Sequence, residues 1–152
     1  MKKFLGLTLT LALLLSLAAC GGKEEEIAPF SPTDASALLE GGAFSEVLES
    51  IDTDIACALY GIDETTVTGA AVYGSTGTTA EELAIFVLTD GEAAQAALTA
   101  LGYRVEDRIA SMKSYLPNEV PKLESSVLEQ RGNTVLLVVA SDYGPVNEFL
   151  NK

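Results

Sequence analysis

Histidine and tryptophan are absent from the 152 residues, cysteine occurs twice, and the 9 lysines and arginines are outnumbered by 22 aspartates and glutamates. Without histidine the chain lacks the commonest general base and metal ligand, and two cysteines build neither a disulfide framework nor a thiolate zinc site. The basic residues are scattered rather than clustered, which argues against nucleic acid as a partner, because phosphate binding takes grouped Lys and Arg. No cofactor and no metal are expected. What the chain does have is apolar residues, 48% of the total, in a length that suits one domain with a true core and is too short for two.

Part of that apolar content sits at the amino terminus. Met1-Lys2-Lys3 forms a positive start, Phe4 to Leu17 is an uncharged apolar run of 14 residues, and the small residues Ala18 and Ala19 follow. This is the pattern of a secretory signal peptide over 1–19. The run falls short of the ~20 apolar residues that cross a bilayer, so a permanent transmembrane helix is the weaker reading. Leu17-Ala18-Ala19-Cys20 matches the lipobox of bacterial lipoproteins, in which the cysteine thiol is acylated and the leader is cut before it. Cys20 is therefore the expected lipidation site. Two or three acyl chains, at ~0.8 kcal/mol per buried CH₂, exceed what stable anchoring requires. Loss of Lys2 and Lys3 with the leader takes the formal charge from −13 to −15. So acidic a domain should stand off an anionic bilayer.

Residues 20–33 read as the lipidated cysteine and a flexible acidic linker rich in Gly, Glu and Pro. As a random coil its thirteen residues from Gly21 to Thr33 would average about 20 Å end to end. The run Glu24 to Glu26 reads as a solvated tether rather than a cation site. Residues 34–152 form a single domain. Short helices are predicted over Ala35 to Glu40, stopped by Gly41-Gly42, and over Asp52 to Tyr60, capped by Gly61. Glu46 to Ile51 is ambiguous between helix and strand. Thr66 to Tyr73 and Leu83 to Thr89 suggest two strands around a Gly-containing turn, although Thr78 and Glu81 would also fit a helix capping box. Ala94, Leu98, Leu101, Val105, Ile109, Met112 and Leu116 step by three and four residues, which predicts one long helix ended by Pro117. About twenty-five residues of it would reach some 37 Å. Ser126 to Gln130 and Thr134 to Ala140 read as a hairpin about Gly132-Asn133, and Pro145 to Leu150 as a terminal helix.

The runs Leu83 to Leu88 and Val135 to Val139 are apolar without alternation, so both strands should lie centrally and be covered on both faces. The expected fold class is α+β: a mostly antiparallel sheet of about 4–5 strands with one long helix and several short helices packed on it. The long helix takes one face. The other must be covered by the short helices or by something outside the chain.

Several short motifs occur in a telling order: the lipobox, Ala58-Leu59-Tyr60-Gly61-Ile62, Ala71-Val72-Tyr73, Glu81-Glu82-Leu83-Ala84-Ile85, Arg108 ahead of Tyr115-x-Pro117-x-Glu119, and Gly132-Asn133 before the last strand. Together they resemble an uncharacterised family of lipoproteins from Gram-positive bacteria, domain of unknown function 4358. The resemblance covers about Asp34 to Ala140. It implies an extracytoplasmic lipoprotein domain, and supplies no catalytic residues.

Candidate chemistry in the domain is sparse. Cys57, in DIACALY, has no base or positive neighbour to make a thiolate and reads as a small buried hydrophobe. Asp52 with Asp54, Asp63 with Glu64 and Glu81 with Glu82 are paired acids, but hydrolysis of a glycan needs carboxyls ~5 to 9.5 Å apart across a cleft, which sequence spacing does not show. Asp52-Thr53-Asp54 lacks the Gly and distal Glu of a calcium loop. Gly74-Ser75-Thr76-Gly77 lacks the ending of a phosphate loop and reads as a hairpin turn. Arg104 and Arg108 sit one turn apart and could grip a carboxylate, with an intramolecular acid such as Glu106 or Asp107 the plainer partner for Arg104. Arg108 and Tyr115 are the candidate contacts for a partner or ligand. The expected function is an extracytoplasmic, membrane-anchored binding or accessory module for an envelope protein or a small ligand, with no catalytic residues. The alternative is a carboxylate-dependent cell-envelope hydrolase.

Overall fold

The computed structural model describes residues 27–152. The signal segment, Cys20 and the acidic run Glu24 to Glu26 lie outside the described residues. The helices are α1 (Asp34–Glu40), α2 (Thr53–Tyr60), α3 (Gly91–Tyr115), α4 (Val120–Glu124) and α5 (Gly144–Leu150). The strands are β1 (Glu49–Ile51), β2 (Val67–Gly74), β3 (Glu82–Leu88), β4 (Val127–Arg131) and β5 (Thr134–Val139), with 3₁₀ turns at Glu64–Thr66 and Pro117–Glu119. All strand pairs are antiparallel, in the order β1-β2-β3-β5-β4. The α+β architecture expected from the sequence is the one observed, with the unalternating strands β3 and β5 inside the sheet.

Why these segments form these elements is local chemistry. The Glu82–Leu88 run pairs on both edges because its Ile, Phe and Val side chains suit a pleated surface buried on each side, and this outweighs the helix-capping alternative. The capping oxygen is instead used at Asp90, whose side chain accepts from the Ala93 amide at 2.8 Å and starts α3. Pro117, which cannot continue a helix, follows the last turn of α3. The β4–β5 hairpin turns at Gly132, φ +57°, where a side chain would be strained, and Asn133 donates from Nδ2 to the Leu88 carbonyl at 2.8 Å. Glu46 to Ile51 resolves into a loop and the short edge strand β1. The segment after Pro117, for which the sequence suggested no element, holds a 3₁₀ turn and α4, because Pro121 occupies a first-turn position that needs no amide donor.

Alternation along β3 and β5 divides the interior into two apolar layers. Ala84, Phe86, Leu88, Val135, Leu137 and Val139 face α2, α3 and α4, while Leu83, Ile85, Leu136 and Val138 face α1 and α5. The predicted α3 stripe is the buried one: Ala94, Leu101, Val105 and Met112 are buried, and Leu98, Ile109 and Leu116 pack at its margins. The second layer is closed from within the chain by Leu38, Ala43, Leu48 and Val146. Phe30 joins them. The sequence places it in the flexible linker, but it is only 3% exposed, stacks on Phe149 at 6.3 Å, lies beneath the Arg131 guanidinium at 4.4 Å, and its amide donates to Thr134 Oγ1 at 2.9 Å. The aromatic ring gains enough by burial to dock, so the packed structure begins ahead of Asp34.

Removing the largest fully buried side chain, Phe86 in the α3-facing layer, tests this packing. Phe86→Ala is expected to cost about 3–5 kcal/mol in urea unfolding, whereas Asp90→Ala, which removes only a helix cap, should cost about 1 kcal/mol. Equal effects would contradict the two roles.

Candidate functional site

Glu82, the first residue of β3, and Glu81 immediately before it carry the polar centre of the molecule. Glu81 and Glu82 are adjacent in an extended segment, so their side chains leave on opposite sides of the sheet, and both are almost fully buried, at 0% and 2% exposure.

Glu82 points toward the α2/α3 layer. One carboxylate oxygen, Oε1, accepts from Arg104 Nε at 3.0 Å and Nη2 at 2.7 Å and from the Tyr60 hydroxyl, while Oε2 accepts from Arg108 Nη1 at 2.6 Å. Arg108 Nη1 also donates to the Ala80 carbonyl at 3.1 Å. The two arginines are one α3 turn apart and so reach the same carboxylate side by side. Arg104 in addition lies over the Tyr60 ring at 4.4 Å, and that ring meets Phe86 edge-on at 5.8 Å. Burial first, then the charge and hydrogen bond of Glu82, push the Tyr60 hydroxyl far above its ordinary range, so it remains a proton donor. β3, α2 and α3 are thereby tied by one carboxylate.

Glu81 points to the other layer. Its carboxylate accepts from the Ser45 amide at 2.9 and 3.0 Å, from Ser45 Oγ at 2.9 Å and from the Ser141 hydroxyl, with Lys122 Nζ at 3.5 Å. Lys122 also pairs with Glu119 at 2.8 Å, and Glu119 accepts the Ala80 amide at 2.9 Å. Burial alone would raise the Glu81 pKa, but the Ser141 and Ser45 hydrogen bonds, with the charge of Lys122, more than offset it and hold the carboxyl below its ordinary value. No buried polar side-chain atom lacks a partner among the described residues.

The paired acids of the sequence thus part company. Glu81 and Glu82 do not face one cleft, and each is already occupied. Asp52 stands at the N-cap of α2 and Asp54 in its first turn, while Asp63 accepts from the Thr65 amide and hydroxyl, a capping role at the following 3₁₀ turn. Cys57 is buried in α2, and burial, with the nearby acids Glu64, Asp54 and Asp63, pushes its thiol up and away from thiolate. The Gly74 to Thr78 segment joins β2 to β3, and Thr78 and Thr79 hold it to Glu46 at 2.7 and 2.5 Å. Among the described residues no group of three or more His, Cys, Asp or Glu could hold a metal ion, and no helix is long and apolar enough to cross a membrane.

Where the Glu82 cluster reaches the surface it forms one wall of a groove of about 510 Å³, open to solvent and lined by Leu59, Tyr60 and Gly61 from the end of α2 and by Tyr103, Arg104, Asp107 and Arg108 from α3. Gly61 is in the left-handed conformation, φ +70°, which ends α2 here and leaves the space open. Leu59 and Tyr103 are exposed apolar side chains on its rim, Tyr103 at 64%. Of the two contact candidates, Arg108 lies in the groove. Tyr115 is exposed at 62%, two turns further along α3 and outside the lining residues. Tyr60 and Tyr103 escape sequence reasoning, and so does the role of Glu82 as acceptor for both arginines. The available signal was charge at the margins of two buried elements: Arg104 and Arg108 border the α3 stripe and Glu82 opens the apolar β3 run, an arrangement that demands mutual neutralisation once both are buried.

A family model described as Domain of unknown function (DUF4358) matches residues 43–140, more than half of the chain. Neither curated proteins nor solved structures give a match. Several segments that carry the resemblance meet around the β3 start, since Tyr60, Glu81, Glu82, Arg108 and Glu119 all bond there.

Two outcomes test this centre. Glu82→Ala, which leaves two arginines without their acceptor, is expected to cost about 3 kcal/mol in urea unfolding. Because the Glu81 carboxyl is held below its ordinary value of 4.5, its contribution is complete above that pH and is lost as pH falls through the lowered folded value. Acid unfolding of Glu81→Gln should therefore be less steep below pH 4.5 than that of the parent, and superimposable acid limbs would refute the assignment.

Proposed function

We infer that the chain, which belongs to the DUF4358 family, is a lipid-anchored extracytoplasmic binding module that engages its partner or ligand through the groove between α2 and α3. The observation that carries the reading is the groove itself: two arginine side chains fixed from behind by a buried carboxylate, beside the exposed side chains of Leu59 and Tyr103, form a polar and apolar surface of small-ligand size. The anchor is read from Leu17-Ala18-Ala19-Cys20 behind its charged and apolar leader, which would place the domain on the outer face of the cytoplasmic membrane of a Gram-positive bacterium.

The function needs no chemistry from the chain. In support, the acids that a carboxylate-dependent hydrolase would use diverge to opposite faces at Glu81 and Glu82 and are both saturated with donors. An envelope protein laid over the second sheet face is disfavoured, because Phe30, α1 and α5 already cover that layer. The contact surface therefore moves from the sheet to the groove.

Cys20→Ala is expected to abolish incorporation of a labelled fatty acid and to release the protein from the membrane fraction. Incorporation that survives the substitution would overturn the anchor. In cells, a photo-cross-linker at Tyr103 should trap a partner that one at Glu148, exposed on α5, does not. Equal capture from both positions would overturn the groove as the contact.

A further inference from the structure

The charges around the groove do not pair off completely. Arg104 spends Nε and Nη2 on Glu82, and Arg108 spends Nη1 on Glu82 and the Ala80 carbonyl. Arg104 Nη1 and Arg108 Nε and Nη2 bond to nothing among the described residues. None of them is a buried orphan, so each opens to solvent. On the same wall Asp107, between the two arginines in sequence, is exposed and forms no ion pair among the described residues. Guanidinium donors without an acceptor and a carboxylate without a cation thus line one cavity.

We propose that the groove binds a zwitterion of amino-acid type, its carboxylate on the outward N–H groups of Arg104 and Arg108, its ammonium on Asp107, and its apolar side chain against Tyr103 and Leu59. This rests on the groove being the binding surface and adds the class of ligand. Glu82 fixes both guanidinium groups before any ligand arrives, so a ligand carboxylate meets oriented donors and little side-chain freedom is lost on binding. Net charge separates a zwitterion from a plain anion. The chain carries −13 and repels anions at long range. Within the groove the two arginines are balanced by Glu82 behind them and Asp107 beside them, which favours a ligand with both charges and no net one. The volume of about 510 Å³ suits a single residue or a short peptide end. Leu59 and Tyr103, which have no packing duty in the core, give its side chain a surface to cover.

Calorimetry on the full chain in detergent micelles tests the proposal with L-phenylalanine and L-leucine, against phenylalaninamide, which lacks the carboxylate, and N-acetylphenylalanine, which lacks the ammonium. The free amino acids are expected to bind at least about tenfold more tightly than either capped form. Asp107→Asn, a surface change that leaves the Glu82 cluster intact, should erase the preference over N-acetylphenylalanine while retaining that over phenylalaninamide. No heat with the free amino acids, or equal affinity for N-acetylphenylalanine, would overturn the ligand class. If the Tyr103 cross-link to an envelope partner persists in that case, the binding-module reading stands without it; if the cross-link is absent too, both fall.

Discussion

Burying a carboxylate costs several kcal/mol unless donors surround it, and this molecule buries two in succession at the start of its central strand. Extended geometry sends Glu81 and Glu82 to opposite sides, so each layer of the protein must bring its own donors to the same point of the chain. The upper layer answers with Tyr60, Arg104 and Arg108, which fixes where α2 ends and how α3 crosses the sheet. The α1/α5 layer answers with Ser45 and Ser141, which gathers the loop after α1 and the exit of β5, and Lys122 is added from α4, which packs with α2 and α3. Hydrophobic burial drives the collapse and is indifferent to small slips. The two carboxylates are not, since a one-residue shift of β3 would turn each of them to the face opposite its own donors.

The same arrangement explains why the groove is polar at its base. α2 and α3 must approach closely enough for Tyr60 and the arginines to meet Glu82, yet Gly61 ends α2 before it can fill the space beyond. The arginines have more N–H groups than one carboxylate can accept, and the excess faces outward. A cluster built to neutralise a buried charge therefore leaves directional donors at the surface.

The fold was largely legible because its strongest elements carry their own periodicity. The α3 stripe, the unalternating β3 and β5, the Gly132-Asn133 turn and the Gly61 cap each follow from a local pattern that the tertiary structure did not need to override. Phe30 and α4 were less legible. A lone aromatic residue in a Gly, Glu and Pro stretch and a five-residue helix with Pro121 in its first turn have no period, and their places depend on partners more than one hundred and about twenty residues away, Thr134 and Tyr143. The site was legible only in part. Arg104 and Arg108 stood out by their spacing, but their acceptor is 22 and 26 residues upstream on another element, and adjacent acids in so acidic a chain carry little information. Tyr115 stood out as the aromatic residue beyond Arg108 on the long helix, and two helical turns put it outside the groove.

Phe30 enters the fold on the α1/α5 side of the sheet, and the groove opens on the other. Tension applied from upstream of Ile27 would pass into the Phe30 ring, its bond to Thr134 and the strand beneath, all in the far layer. The α2/α3 layer carries none of that load directly, so the sheet would stand as a bulkhead between a pull on the chain ahead of Ile27 and the groove on its other side.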